Sequence, residues 1–327
     1  MRYLRDLDRD YLNGKKCLLR INLDVTNPKE ASLRINIAIP TINFLLDKGA
    51  SILILSHRGR PEGEDKNLSL KPLIEILENK IGQKIGWLEN LRFDPKEQEN
   101  DDDFAKELAA KGDFFVNDDF AVSHRANTSI SAITKYLPSF AGLNLEKEIK
   151  TLSQVMDNPE EPLVVIIGGV KIGDKIGVIE NLYSKADRFL MGSAYIDIDN
   201  SILKKEKVVL PEDWIVGDGK KLDIGQKTIE NFGKIISKAK TIIWNGPMGK
   251  FEDSKYIEGS KKVAEAIASS NAFSIIGGGD TYQLLSILGM EDGFGFISTG
   301  GGAMLEFLAG KKLPALTALN ENEKTYG

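Results

Sequence analysis

Short apolar runs rich in β-branched residues alternate along this chain with longer runs whose hydrophobic positions recur every third or fourth residue. The series opens with Cys17 to Val25 and an amphipathic stretch from Ile35 to Lys48, followed by Ser51 to Leu55 and Leu70 to Lys80. It continues through Phe114 to Val116, Leu163 to Ile167, Ile176 to Leu182, Arg188 to Met191, Ile229 to Lys238, Thr241 to Trp244, Lys255 to Ala268, Phe273 to Ile276 and Thr281 to Leu288. The short runs lack an alternating polar face, as expected of strands in a parallel sheet covered by helices on both sides. The β-α-β-α rhythm therefore predicts an α/β protein of doubly wound, Rossmann-like parallel sheets.

At 327 residues the chain exceeds what one ordinary core organises, so two such domains are expected. Leu145 to Met156 is a charged helical pattern that runs into Asp157-Asn158-Pro159-Glu160-Glu161-Pro162, which cannot continue a helix. We expect a first domain over 1–145, a hinge helix and linker over 146–162, and a second domain over 163–314, with a cleft between the domains. Ile196 to Gly219, weakly periodic and highly charged, reads as an irregular connection.

A net charge of −5 argues against a general nucleic-acid binder, which needs a basic surplus. The single cysteine, Cys17, excludes an intrachain disulfide and sits in an apolar run, so it reads as a small buried hydrophobe in a reducing compartment. Met1 to Asp10 is charged, and no stretch approaches the roughly 18 apolar residues of a membrane span, so no membrane partner and a cytoplasmic location are expected.

In such sheets ligands bind beyond the carboxyl ends of the strands. Leu163 to Ile167 runs into Gly168-Gly169-Val170-Lys171-Ile172-Gly173-Asp174-Lys175, and Thr241 to Trp244 into Asn245-Gly246-Pro247-Met248-Gly249. Phe273 to Ile276 runs into Gly277-Gly278-Gly279-Asp280-Thr281, and Phe296 to Thr299 into Gly300-Gly301-Gly302. One glycine loop is more often tight-turn geometry than a site. Four in succession favour a phosphate cradle, in which backbone N–H groups approach an anion and Lys171 and Lys175 act as mobile cationic donors. Neither a P-loop nor a dinucleotide G-x-G-x-x-G is present, which weakens a P-loop NTPase and a dehydrogenase alike.

The first half carries Arg20, Arg34, His57, Arg58, Arg60, Arg92, His124 and Arg125, mostly just after expected strands. Arginine forks beside both histidines suggest a pocket for phosphate or carboxylate. Arg58 by itself reads as a solvated surface arginine, and His124 equally well as a buried structural histidine.

These blocks resemble the phosphoglycerate kinase family along nearly the whole chain. The resemblance rests on LSHRGRPEG (Leu55 to Gly63), LENLRF (Leu88 to Phe93), HRA (His124 to Ala126), GGVKIGDKI (Gly168 to Ile176), LDIGQKT (Leu222 to Thr228), WNGPMGKFE (Trp244 to Glu252), GGGDT (Gly277 to Thr281) and STGGGAMLEFL (Ser298 to Leu308). It implies phosphoryl transfer between 1,3-bisphosphoglycerate and ADP, giving 3-phosphoglycerate and ATP with Mg2+, by a monomer that closes on a hinge. It implies a triose site of Asn22, Leu23, Asp24, Arg34, His57, Arg58, Gly59, Arg60, Arg92 and Arg125. Nucleotide contacts fall on Gly168, Gly169, Lys171, Lys175, Asn245, Pro247, Glu252, Gly278, Gly279, Asp280 and Thr281, with Asp280 the expected Mg2+ ligand. Arg34 and Lys171 look like the pair that clasps the transferring group, with Gly279 and Gly302 beside it. The tail after Pro314, residues 315–327, resembles the family's return strand to the first domain.

Three departures from the family pattern stand out. Arg-Val-Asp-Phe-Asn appears as Arg20-Ile21-Asn22-Leu23-Asp24, with acid and amide exchanged. The long stretch expected between Gly192 and Leu222, part of the adenine pocket, is reduced to a short charged linker, and the first half looks trimmed before Leu88. Ala121-Val122-Ser123 and Val170 replace the usual glycine-threonine-alanine and alanine. An active, trimmed kinase is the leading reading. A non-catalytic homologue with an impaired nucleotide pocket, or a kinase for another phospho-acid, are the alternatives.

Overall fold

The computed structural model describes residues 1–25, 31–170, 173–195 and 197–327, with the backbone alone at Asp174; Lys171 therefore lies outside the described residues. The chain divides into two units, Met1–Lys150 with Lys312–Gly327, and Thr151–Lys311.

In the first unit α1 (Arg9–Leu12) leads to β1 (Lys16–Arg20), α2 (Ser32–Asp47) to β2 (Ser51–Leu55), and α3 (Lys71–Ile81) to β3 (Gly86–Trp87). Short helices α4 (Lys96–Glu99) and α5 (Asp102–Ala109) precede β4 (Phe114–Asn117), and β5 (Ser139–Ala141) precedes α6 (Leu143–Asp157). The five strands form a parallel sheet in the order β3-β2-β1-β4-β5. Alternate residues serve opposite faces, as the pleat requires. Cys17, Leu19, Phe114 and Val116 pack with Ile35, Ala38, Ile42 and Leu45 of α2, whereas Leu18 and Phe115 pack with Leu108 and Ala109 of α5. Cys17 is fully buried, as its apolar surroundings suggest.

The first strand stops at Arg20 rather than Val25 because polar side chains capture the backbone beyond it. Ser56 Oγ accepts from the Leu23 N–H at 3.1 Å and donates to the Ile21 carbonyl at 2.8 Å, and Asn22 Oδ1 accepts from the Asp24 N–H at 2.9 Å.

The second unit contains β6 (Leu163–Ile167), α7 (Gly173–Leu182), β7 (Arg188–Met191), β8 (Val208–Val209), the hairpin β9 (Trp214–Gly217) and β10 (Lys220–Ile224), and α8 (Gln226–Ile236). There follow β11 (Thr241–Asn245), α9 (Glu258–Ala268), β12 (Phe273–Gly277), α10 (Gly279–Leu288), β13 (Phe296–Ile297) and α11 (Gly301–Leu308). Its six-stranded sheet is parallel, in the order β13-β12-β11-β6-β7-β8. The 196–219 stretch is thus not wholly irregular. It supplies β8, an edge strand aligned with Phe189 and Leu190, and β9; a two-residue strand is too short to show periodicity.

The tail forms a helix, α12 (Pro314–Tyr326), not a strand, and belongs to the first unit. Pro314 stands in its first turn, where proline is favoured. Asn322 anchors it: the amide donates to the Thr134 and Leu137 carbonyls, and Oδ1 accepts from the Ser139 N–H and from Arg2.

Candidate functional site

Where strand order reverses in an open parallel sheet, diverging loops leave a crevice beyond the strand ends. In the first unit that point lies between β1 and β4, and Arg20, the last residue of β1, is fully buried there. Its guanidinium donates to Ser129 Oγ at 2.9 Å, the Ile21 carbonyl at 2.7 Å and Asp119 Oδ2 at 2.8 Å. Arg20 Nη2 lies 2.7 Å from His57 Nδ1. An arginine can only donate, so Nδ1 accepts and the ring proton sits on Nε2. Burial and then the Arg20 charge push the His57 pKa down to about 4, which keeps the ring neutral.

His57 Nε2 faces Asp24 Oδ2 at 3.5 Å, and Asp24 Oδ1 accepts from the Gly59 N–H at 2.8 Å. Burial pushes the Asp24 carboxyl up, but His57, the Gly59 N–H and the Arg92 charge together hold it well below the usual carboxylate range. Buried Arg92 donates to the Gly59 carbonyl at 2.7 Å, while its Nε meets no hydrogen-bond partner among the described residues. Desolvation lowers the Arg92 pKa, which also feels Asp24, Arg20 and Arg125. Asn22, Asp24, His57, Gly59 and Arg92 are thus brought together. The side chain of Leu23 is buried in the core, so only its backbone faces this loop. Arg60 is exposed, Arg34 stands half-buried in the first turn of α2, and half-buried Arg125 donates from Nε to His124 Nε2 at 3.3 Å. His124 is likewise half-buried, not a core histidine.

Arg58 corrects the sequence expectation. It is 4% exposed, and its guanidinium donates to the Val25 carbonyl at 2.9 Å and the Ser69 carbonyl at 3.2 Å. It ties the loop after β1 to the segment before α3. Asn90 fastens the loop after β2, taking the Arg58 and Arg92 N–H groups on Oδ1 and donating to the Arg58 carbonyl. Arg58→Ala should cost about 3 kcal/mol, since two carbonyls lose a charged donor. Denaturant unfolding checks this, and a loss below about 0.5 kcal/mol, the range of ordinary surface substitutions, would restore the solvated reading.

Sequence reasoning missed Asp119, Glu97 and Ser129. Glu97 is fully buried; it accepts from Ser129 Oγ at 2.6 Å and from the Ser129 N–H at 3.0 Å, so the Arg20 network ends on a second buried carboxyl. Its segment, Lys96-Glu97-Gln98-Glu99, reads as a surface helix, whereas Asp118-Asp119 directly after a buried strand is a signal that was available.

Asp118 is 4% exposed, and Oδ1 accepts from the Asn144 and Leu145 N–H groups at the start of α6. Burial pushes its pKa up to about 7. The folded state therefore holds a proton that the unfolded chain releases near pH 4, and this stabilisation, full below pH 4, fades as pH rises through 7. Asp118→Asn should flatten that decline; parallel unfolding curves from pH 5 to 8 for both proteins would refute it.

In the second unit the reversal lies between β6 and β11. The Gly168 N–H donates to the Asn245 carbonyl at 2.9 Å and the Gly169 N–H to the Pro247 carbonyl at 2.7 Å. The expected anion-facing amides at this turn are thus already engaged, and the two loops clasp each other. A Cβ on Gly168 would lie 2.0 Å from the Pro247 oxygen, so a side chain is excluded. Lys175 is not a mobile donor either: it is 5% exposed and donates from Nζ to the Gly168 carbonyl. Thr281 Oγ1 accepts from the Gly246 N–H at 2.8 Å and donates to the Gly277 carbonyl at 2.9 Å, joining the turns after β11 and β12.

Gly278 takes φ +100°, and a Cβ on Gly301 would come within 2.6 Å of its Cα, so the turns after β12 and β13 close on each other. Gly279 and Asp280 open α10, and Gly302 lies in the first turn of α11, so both helices begin at this edge with N–H groups that have no partner within the helix. Asn245 is 5% exposed, and its Nδ2 finds no partner among the described residues. Glu252 and Asp280 are exposed.

A family profile described as phosphoglycerate kinase matches residues 4–88, 83–208 and 193–311. The match is broken at 83–88 and 193–208, where the sequence reading found family segments shortened. Phosphoglycerate kinase from Dictyoglomus turgidum is 38% identical over 388 aligned positions, covering 97% of this chain and 98% of that protein. Because those positions outnumber the 327 residues here, the relative carries internal residues without a counterpart. The structure of phosphoglycerate kinase from Coxiella burnetii is 30% identical, with a TM-score of 0.84 and 98% of each chain covered. That from Pyrococcus horikoshii is 28% identical, with a TM-score of 0.87 and both chains covered completely.

Proposed function

The chain belongs to the phosphoglycerate kinase family, and from that premise we propose that it moves a phosphoryl group reversibly between the acyl phosphate of 1,3-bisphosphoglycerate and ADP, giving 3-phosphoglycerate and ATP. The observation that carries this reading is the polar cluster at the strand ends of the first unit, where neutral His57, held by Arg20, faces Asp24 and the Arg92 charge acts on the same carboxylate. Phosphoryl transfer asks for positioning and charge neutralisation rather than covalent work by the protein. Asn22 and Asp24 would accept from the hydroxyl of the triose acid, with His57 Nε2–H and Arg92 as donors to its oxygens. Arg34, Arg60 and Arg125 would supply the remaining positive charge.

On the second unit, Gly278 to Thr281 at the start of α10 and Asn245 would face the nucleotide, with Glu252 at the ribose. Lys175 would brace the turn through the Gly168 carbonyl. Lys171 and Arg34 are proposed as the pair at the transferring group, with Gly279 and Gly302 leaving room beside it. Asp280 is an exposed carboxylate, and among the described residues no group of three or more His, Cys, Asp or Glu could hold a metal. That donor set fits Mg2+ carried mainly by nucleotide phosphates and steadied by one carboxylate. When bound, the ion neutralises charge on the phosphate oxygens. Domains over 1–145 and 163–314, a hinge at 146–162, a monomeric state and a cytoplasmic location complete the proposal.

A coupled assay with ATP and 3-phosphoglycerate tests it, and turnover well above a Lys171→Ala control is expected. Absence of that turnover, with no ATP binding by calorimetry to the folded chain, would leave the non-catalytic reading in its place.

A further inference from the structure

We propose that Asp119 is a positioning residue of the phospho-acid site and that it dictates the order in which Asn22 and Asp24 stand. The inference rests on the kinase reading above.

Asp119 is fully buried, and both of its carboxylate oxygens are committed. Oδ2 receives Arg20 Nη1 at 2.8 Å, and Oδ1 receives Asn22 Nδ2 at 3.1 Å. Its backbone is pinned as well, the N–H donating to Asn117 Oδ1 at 3.1 Å and the carbonyl accepting from Ser123 Oγ at 3.0 Å. A carboxylate can only accept, so it orients the Asn22 amide with Nδ2 inward and leaves Oδ1 for the Asp24 N–H. Through Arg20 the same carboxylate also steadies the donor that fixes the His57 tautomer.

One buried acid thus aligns Asn22, Asp24 and His57 together. It also makes position 22 intolerant of an acid. An aspartate there would set a half-buried carboxylate about 3 Å from the buried one of Asp119, and repulsion at that distance disfavours ionising both. The amide therefore has to stand at 22, and the acid stands at 24, where the Gly59 N–H and His57 receive it. The exchanged order is built into this site rather than being a sign of a different substrate.

A charge swap across the pair tests the proposal, using wild type, Asn22→Asp, Asp119→Asn and the double variant. Asn22→Asp opposes two acceptors, and Asp119→Asn opposes two donors. Each should raise KM for 3-phosphoglycerate about tenfold or more, the usual effect of one mispaired buried polar group. The double variant, in which amide and acid face each other again, should return to within about threefold of wild type, with KM for ATP unmoved throughout. Single effects that simply multiply in the double variant, or an Asn22→Asp protein equal to wild type at pH 8, would overturn it.

Thermal unfolding gives a readout that needs no turnover. The charged and titratable groups facing Asp119 are Arg20 from β1, His57 after β2 and Asp118 beside it, with Glu97 beyond Ser129 and Asp24 and Arg92 beyond His57. Against that background Asn22→Asp should lose more stability at pH 8, where a proton that relieves the two facing carboxylates is harder to keep, than at pH 5, and the double variant should abolish the difference. A chain without kinase activity would still show this, so failure of the kinase reading and failure of the coupling are separately visible. Should Asn22→Asp not fold, Asn22→Ala replaces it; it adds no charge, so Asp119→Asn should give no recovery over it, and a recovery would overturn the proposal.

Discussion

Arg20→Met should be among the most damaging single changes in the first unit, lowering stability by about 3–5 kcal/mol, because removing one member of a buried ion pair strands the other. Asp119 would keep the weak Asn22 amide and lose its cation, and Ser129, which links to buried Glu97, would lose the Arg20 Nε donor. Methionine keeps the apolar stem without the charge, so most of the apolar packing stays and the lost network dominates the effect. The His57 ring would also lose the donor on Nδ1, and its pKa would rise from about 4, since the Arg20 charge is the second cause of its depression after burial. Guanidinium unfolding measures the first effect. NMR titration of His57 measures the second, with the ring titrating at higher pH in the variant. A stability loss under about 1 kcal/mol, no more than a typical single neutral hydrogen bond contributes, would show that the guanidinium is not what holds these acids.

Lys171→Ala and Arg34→Ala should each lower kcat by about 100- to 1,000-fold, the range for removing one preorganised cation at a group that gathers charge in the transition state. Their KM values for ATP and 3-phosphoglycerate should move far less, because a cation that acts on the transferring group contributes little to ground-state binding. Arg58→Ala provides the contrast, as its guanidinium ties two loop carbonyls and its loss should register in unfolding. Steady-state kinetics separate the three. A loss of less than about tenfold at either Arg34 or Lys171 would remove that residue from the transfer step.

The strands that carry the site were readable because buried parallel strands are nearly pure apolar runs, and Leu163–Ile167 and Arg188–Met191 have the limits their composition suggests. Glycine turns after four of the strands likewise identified the edge of the second unit, since close backbone approach leaves no substitute for glycine at Gly168. Patterning could not foresee β8, too short to show a period, or the helical tail, whose hold on the first unit comes from Asn322 and its partners on β5 and the preceding turn.

Residue type along the chain was enough to establish two parallel α/β sheets and the family, because periodicity and glycine spacing are local properties. The fate of individual charges was not local. Arg58 and Lys175 read as solvated or mobile cations, and folding turned both into buried ties to backbone carbonyls. Glu97 reads as helix surface and became the far anchor of Arg20. Whether a charged side chain is an active donor or a structural fastener depends on which distant carbonyl or carboxylate the fold brings within about 3 Å, and for Arg20 that partner, the Asp119 carboxylate, lies 99 residues away along the chain.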